Sequence, residues 1–426
     1  MVAPHRAPVP SSARAHPHAS AMSTALLAPL RHPAYRAIWV ATLLSNFGVW
    51  IQMVAAAWLM TGIAPTVDFV AWVQAATALP PLVFTLVGGV LADRIDQRLI
   101  FLVAQLIVLA VALLLSVIDG FGLMTPWLLL GLTFALDSGS ALRYPAYQTT
   151  IVDILPRPQL ASALVLASVG WNIARAAGPG IGGLIIAVFG VPAAFAVNAL
   201  CNVLIIVVLM HQRRRSAIVK AKPAAGLLSE ILGGFRHVLA APAIRWAVLR
   251  CFLFTLFASA LWSLLPLVAK RLAGTASSYG LMLGALGLGA LAGAWLIGWM
   301  RRSWGLVWLY SSASLFVAAT ILALVLLQSP WLLLPVLVLG GLGWMMALST
   351  FTIVVQLACG KGFQGRVVAI YYIALFGGLA LGSYVWGHVA ALAGIDAGLL
   401  AATAGLVACL VLYRDATTAH GFVEGP

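Results

Sequence analysis

The sequence predicts an all-α membrane protein in which twelve transmembrane helices form two pseudo-symmetric six-helix bundles. Of its 426 residues, 63% are hydrophobic and only 8% are charged, whereas soluble domains carry about 25% charged residues. Apolar runs repeatedly reach the roughly 20 residues needed to cross a bilayer. The runs are continuous and do not alternate in short segments, so they favour helices over a β-barrel.

Apolar runs between charged or Pro/Gly breaks define the spans. The predicted spans cover residues 37–60, 69–91, 99–118, 127–148, 161–188, 191–211, 246–269, 279–300, 305–327, 331–355, 366–390 and 395–413. The division between the fifth and sixth spans, within FGVPAAF, depends on the break at Gly190 and Pro192 and on total length.

The polar stretches divide the chain into five parts. The predicted parts are a disordered tail 1–30, a first bundle 31–211, a basic cytoplasmic linker 212–245, a second bundle 246–413 and a cytoplasmic tail 414–426. The first tail is rich in Arg and Ser and has no acidic residue, so a transit peptide is the alternative interpretation. Translation can start at Met1 or at Met22, where the ordered pattern begins.

The net charge of +14 is also found in nucleic-acid-binding proteins, but its placement indicates a membrane. Most Lys and Arg residues fall in short loops on one side of the predicted spans. By the positive-inside rule this side is cytoplasmic, and both termini lie there. We therefore expect a multi-pass membrane protein, in contact with the lipid bilayer and with no nucleic-acid partner.

An internal repeat supports the two-bundle division. At an offset of 204 residues, three glycines of the fifth span fall on glycines of the eleventh. The pairs are Gly178 with Gly382, Gly183 with Gly387, and Gly190 with Gly394. Two homologous six-helix halves are a common plan among transporters.

The loop after the second span, GGVLADRIDQR, resembles the signature of the major facilitator superfamily. Its matching residues are Gly89, Asp93, Arg94 and Arg98, and Asp96 stands where the common pattern has Gly. The resemblance implies a gating role, in which the Asp93 carboxylate meets the positive N-terminal end of the eleventh span. A topology signal made of loop charges is the alternative.

The fifth span contains the sequence GPGIGG, which resembles the Gly-Pro motif of antiporter-type exporters of that superfamily. Its matching residues are Gly178, Pro179, Gly182 and Gly183, whereas Ala174 departs from the pattern. Proline loosens the helix and glycines permit close packing. We expect this span to pack on the eighth, within GALGLGALAGAW, and to seal the path between the halves. Ordinary helix packing without a gating role is the alternative.

Longer segments narrow the resemblance. SNFGVWIQMVAAAWL and RVVAIYYIALFGGLALGSYVWG, with the region around the Gly-Pro motif, are similar to a bacterial subfamily that includes enterobactin-exporter-like and macrolide-efflux-like proteins. The resemblance covers about residues 25–413. It implies the twelve-helix fold of the superfamily, a location in the bacterial inner membrane, and export. It leaves the substrate open.

Two charges lie deep in the first half. Asp137 in the fourth span and Arg175 in the fifth are each 19 residues from Pro156, the centre of the turn between the spans (156 − 137 = 19; 175 − 156 = 19). Charges at this depth are costly and indicate function. We predict an Asp137–Arg175 pair, and one interpretation is that it couples transport to protons. A structural lock, and an arginine that binds an anionic substrate, are the alternatives.

The central cavity is expected between spans one, four, seven and ten if the family fold holds. Its predicted polar and aromatic lining is Asn46, Trp50, Gln52, Trp262 and Trp344. Such surfaces adapt to large amphipathic molecules. His388 is interpreted as a packed residue with a smaller chance of titrating in transport, and Arg143 and Arg250 as topological residues that reach the headgroups.

These patterns predict a secondary transporter and no enzyme. The four cysteines are scattered, and no nucleotide-binding P-loop, HExxH motif or nucleophile elbow is present. We expect a monomer, without a cofactor, that exports a small amphipathic molecule such as a siderophore or a drug, with protons as the driving partner. An importer of the same fold is the alternative, and a non-transporting scaffold is a weaker one.

Overall fold

The computed structural model of the protein describes residues 26–94, 97–211, 235–359 and 364–411. Twelve long helices occupy these ranges. They are α1 (Pro33–Ile63), α2 (Asp68–Arg94), α3 (Gln97–Gly120), α4 (Pro126–Ile154), α5 (Leu160–Phe189), α6 (Val191–His211), α7 (Pro242–Leu272), α8 (Ala276–Ser303), α9 (Leu306–Leu326), α10 (Pro330–Ala358), α11 (Gln364–Ala393) and α12 (Ile395–Ala408). Each predicted span overlaps one of them, so the predicted all-α fold is confirmed.

The composition of the helices matches a membrane environment. Nine of the described helices are long and apolar enough to cross a bilayer. Although α4 is 29 residues long, it is not among the nine, since its interior carries Asp137 and Arg143. Charged residues inside an otherwise apolar bundle are costly, so Asp137 and Arg143 make α4 a candidate functional helix.

The helix ends follow from local chemistry. The Thr125 and Thr275 hydroxyls cap α4 and α8 by accepting hydrogen bonds from the third backbone N–H that follows each of them. Gly190 and Gly394 have φ angles of 84° and 94°, which L side chains rarely adopt, and they end α5 and α11. The division between the fifth and sixth spans is thereby confirmed.

The helices pack as two halves. In the first half α1 packs on α5 and α6, and α3 packs on α4 and α6; in the second, α7 packs on α11, and α10 packs on α8 and α9. Two long crossings join the halves, α5 with α8 and α2 with α11. We call the end that bears residues 64–67, 121–125 and 273–275 the outer end, and the opposite end, where α1 and α7 begin, the inner end.

The glycine pairs of the internal repeat occupy equivalent positions. Gly178 of α5 lies against Trp50 of α1, and Gly382 of α11 lies against Leu256 of α7. On the other side of the same two helices, Gly183 meets α8 and Gly387 meets α2. Each half therefore uses its fifth helix to contact its own first helix and the second helix of the other half.

Most of the predicted tails and linker lie outside the described residues. The described part resumes with a helical segment at 235–240, and α7 begins at Pro242. The second bundle thus starts a few residues before the predicted position 246, because proline at the first turn of a helix fits the fixed φ angle and needs no donor there.

Candidate transport site

Arg175 lies on α5 between the faces that contact α1 and α8. Helical periodicity places Leu164, Ser168 and Trp171 on the same stripe, toward the inner end. These three residues are exposed, whereas Gly178 and Gly182, further toward the outer end, are buried. The stripe is therefore exposed from the inner end as far as Trp171, and Arg175 lies where exposure gives way to burial.

The Arg175 guanidinium reaches across the boundary between the halves. Its Nη2 donates to Asn172 Oδ1 at 2.9 Å and lies 3.9 Å from Met345 Sδ of α10. Its Nε is buried without a hydrogen-bond partner. The side chain is half-buried, so part of its hydrogen-bonding capacity is unused.

The predicted Asp137–Arg175 pair is not formed in the structure. The cation whose charge acts on Asp137 is Arg143, on the same helix. Equal distance from the turn fixes the depth of two side chains but not their direction. α4 packs mainly on α2 and α3 and α5 mainly on α1 and α8, and the two helices scarcely touch each other, so equal depth does not bring the two side chains together.

Arg143 is a central residue and not the headgroup-directed one that the sequence predicts. Its Nη1 donates to Ser45 Oγ at 2.6 Å and its Nη2 to Asn46 Oδ1 at 3.4 Å, both on α1. Ser45 and Asn46 are buried. Arg143 thus ties α4 to α1 in the protein interior, where hydrogen bonds to a charged donor are strongest.

The network continues into α6. Ser45 Oγ donates to Asn202 Oδ1 at 3.1 Å, and Asn202 Nδ2 donates to the Asn198 carbonyl at 2.8 Å and to its Oδ1 at 3.0 Å. Asn198 Nδ2 in turn donates to Gln52 Oε1 at 3.3 Å. Gln52 is buried against α6, so the structure corrects its predicted place in the cavity lining.

Sequence reasoning missed Ser45, Asn198 and Asn202, because they are uncharged and scattered among apolar residues. A signal was nevertheless present. Asn198 and Asn202 are four residues apart in a helix that is otherwise almost entirely apolar, and that spacing places both on one face. Polar side chains on one face of a membrane helix point to a partner inside the bundle.

The Gly-Pro motif divides between two partners. Gly178 and Gly182 lie against Trp50 and Ile51 of α1, whereas Gly183 lies against α8, where a Cβ on it would be 2.6 Å from the Ala276 carbonyl oxygen. The α5–α8 packing predicted from the sequence is present. The part of α8 that contacts α5 is its outer part, up to Gly287. Gly289 and Gly293, further along α8, lie against α10 instead.

Pro179 has a specific effect in this crossing. Proline has no N–H, so the carbonyl of Arg175, four residues earlier, receives no helical hydrogen bond from it. That carbonyl oxygen is 2.5 Å from the position a Cβ of Gly287 would occupy on α8. A glycine hydrogen points at the freed carbonyl there, in the geometry of a Cα–H···O contact.

Contacts between the halves continue at the outer end. Lys270 Nζ of α7 donates to the Thr61 carbonyl at the end of α1. Trp72 of α2 stacks on Tyr384 of α11, with ring centroids 5.9 Å apart and an angle of 17°. Together with the glycine crossings, these contacts join the two halves near the outer end.

The predicted aromatic residues form two clusters. Trp50 packs beside Trp171 of α5, with centroids 5.7 Å apart, and this pair adjoins the Arg175 stripe. In the other half Trp262 and Trp344 meet edge to face at 5.5 Å, next to Met345. Trp50 Nε1 and Trp262 Nε1 are buried without hydrogen-bond partners.

The remaining predicted residues are placed as follows. Gly89, Asp93 and Arg94 end α2 and Arg98 begins α3, but the side chains of this motif lie outside the described part of the chain. The His388 ring stacks parallel to Tyr384, which agrees with a packed residue. Arg250 is buried, with its guanidinium 5.8 Å from the Trp246 ring centroid, and does not extend to the surface as the sequence predicts.

This fold is that of a polytopic membrane protein, with charged and polar side chains joined by hydrogen bonds inside its first half. The chain belongs to the major facilitator superfamily, because the family model described as a transmembrane secretion effector matches residues 24–419. Family and fold are those of transporters and not of enzymes. Among the described residues no group of three His, Cys, Asp or Glu side chains is arranged to hold a metal ion.

Relatives and solved structures agree with the assignment. The enterobactin exporter EntS of Escherichia coli O1:K1 is 27% identical over 378 residues, 85% of this chain and 86% of that protein. The uncharacterized transporter YfiS of Bacillus subtilis is 29% identical over 144 residues, about a third of either chain.

Two solved structures share the fold. A bacterial homologue of the human lysosomal transporter Spinster, inward-facing and occupied, has a TM-score of 0.73 at 15% identity, over 92% of this chain and 97% of that one. The nucleoside transporter NupG has a TM-score of 0.74 at 9% identity, over 90% and 99%. At these identities the likeness concerns the fold alone.

Proposed function

We propose that the protein exports a small amphipathic molecule across the bacterial inner membrane by alternating access, as a monomer driven by the proton gradient. The observation that carries the proposal is the pattern of exposure along α5. Its central stripe is exposed on the inner side of Arg175 and buried on the outer side. With the inner end cytoplasmic, this is the arrangement from which an exporter loads its substrate.

Release requires the outer contacts to separate. The crossings of α5 with α8 and of α2 with α11 depend on glycines and on ring stacking, without a charged lock at Gly183 or Gly387. Opening would separate these surfaces and break the hydrogen bond from Lys270 to the Thr61 carbonyl. Asp93 and Arg94 would hold the inner end shut in the opposite state.

Asp137 is the proposed proton carrier. Its charge acts on Arg143, which in turn holds Ser45 and Asn46 of α1. Protonation of Asp137 would remove a negative charge beside Arg143 and change how strongly α4 is tied to α1. A proton entering there would thereby alter the packing of two cavity helices.

Everted membrane vesicles test the proposal. Vesicles that contain the protein are energised, and the uptake of cationic, neutral and anionic fluorescent amphiphiles is measured. Export predicts uptake of at least one probe that collapses with the proton gradient, and loss of this gradient-dependent part in Asp137→Asn. Asp396→Asn, which removes an exposed carboxylate, serves as the matched control and should behave as the wild type.

Two results would contradict the proposal. Uptake by right-side-out vesicles, with none by everted ones, would identify an importer. Gradient-dependent uptake that is undiminished in Asp137→Asn would remove Asp137 from coupling.

A further inference from the structure

We propose that Arg175 is the binding site for an anionic group of the transported molecule. The substrates would then be organic anions, such as carboxylates or phenolates, that carry an aromatic or other apolar body. This inference rests on the proposed export function and names the substrate class of that same site.

The first support is the charge balance of the interior. The described helices carry Asp137, Arg143 and Arg175 near the centre of the first half, which is one negative charge for two positive ones. Asp137 interacts electrostatically with Arg143, and no carboxylate of the described residues lies within ion-pair distance of Arg175. An isolated cation at this depth is costly unless a ligand or a water-filled cavity compensates it.

The second support is the unused hydrogen-bonding capacity of the guanidinium. Arginine has five N–H donors in a planar fork that fits two oxygens of one anion. In the structure only Nη2 has hydrogen-bond partners, and these are a neutral amide oxygen and a thioether sulfur. Nε is buried without a partner. An oxyanion would satisfy donors that the protein leaves open.

The third support is the surface around Arg175. The Trp50–Trp171 pair adjoins it on the side of α1, and Met345 faces it from α10 of the other half. Trp171 is 40% exposed, so the ring offers a stacking surface along the accessible stripe. An anion with an aromatic body would place its charge on Arg175 and its body against these side chains.

This position also connects recognition to the conformational change. The carbonyl of Arg175 lies in the tight contact of α5 with Gly287 of α8, while its side chain contacts α10. An anion bound there is held by the first half and touches the second. A ligand that contacts both halves has different affinities for two arrangements of those halves, which is the condition for driving a transition between them.

Binding of two probes that differ only in charge tests the inference. Naphthoate and its neutral analogue naphthamide are titrated against the full-length protein in lipid nanodiscs, by calorimetry. We expect the wild type to bind naphthoate about tenfold more tightly, since a hydrogen-bonded charge pair supplies about this much. Arg175→Gln should lose the preference and Arg175→Lys should keep part of it. Arg245→Gln, which removes an exposed arginine beside Trp246, should keep all of it.

Equal affinity of the wild type for the two probes, including no measurable binding of either, would overturn the inference. A preference retained in Arg175→Gln would overturn it as well. The vesicle experiment separates this failure from failure of the export proposal. Transport of a neutral amphiphile with no anion preference would support export and contradict the Arg175 site. Anion binding without transport would support the Arg175 site and contradict export.

Discussion

The carbonyl oxygen of Arg175 points at Gly287, 2.5 Å from the place where any larger residue would carry its Cβ. The contact joins the two halves of the protein at mid-depth. It exists because Pro179 leaves that carbonyl without a helical partner and because residue 287 has no side chain.

Gly287→Ala is therefore expected to weaken the crossing of α5 and α8. Alanine normally favours a helix over glycine by about 1 kcal/mol, but the clash with backbone atoms should reverse the sign and destabilise the protein by about 1–3 kcal/mol. Gly298→Ala in the same helix is the control, since no atom lies within 4 Å of its Cβ position. Melting in detergent and vesicle transport measure the effect; a Gly287→Ala protein as stable and active as Gly298→Ala would refute the tight contact.

Asn202→Leu should destabilise the first half. Leucine is close in size, but it leaves Ser45 Oγ without its acceptor and Asn198 Oδ1 without its donor in a buried site. Unsatisfied buried groups cost about 1–3 kcal/mol each. Thr403→Val is the control, because the Thr403 hydroxyl bonds only the Leu399 carbonyl of its own helix. Thermal unfolding of the two variants should differ by several degrees, and equal melting temperatures would argue against the network.

Arg271 and Asp396, at the outer end, should contribute unequally to the stability of the protein. Their ion pair is 2.7 Å long, with side chains 31% and 50% exposed, and exposed pairs contribute at most about 1 kcal/mol. Asp396→Asn should therefore change stability little. Arg271→Gln should have the larger effect, because Arg271 Nη2 also donates to the Leu324 carbonyl in the last turn of α9, at 3.1 Å. Equal melting temperatures of the two variants would contradict this.

Hydropathy and loop charge were sufficient to predict all twelve helices. Length and apolar composition determine a membrane span almost alone, because the bilayer requires every backbone hydrogen bond to close within the helix. The break at Gly190 was also predictable, since few residues other than glycine adopt a φ of 84°.

The partners of the buried charges were not predictable in the same way. Counting from the turn placed Asp137 and Arg175 at equal depth, yet α4 and α5 scarcely touch each other and pack on other helices instead. Arg143 was interpreted as a residue that reaches the headgroups, because its distance from the helix end says nothing about Ser45 and Asn46 on a helix almost a hundred residues away.

The sequence by itself determined the membrane environment, the helices, the two-fold repeat and the glycine-rich fifth helix, because these depend on local composition and on period. Only the tertiary structure decided that Arg143 joins α1, α4 and α6, that Gln52 belongs to that network, and that Arg175 faces the other half. The direction in which a side chain points within a bundle depends on which helices pack on each face of its own helix. Contacts between residues far apart in the chain determine that packing, so the sequence of a single span does not reveal the direction.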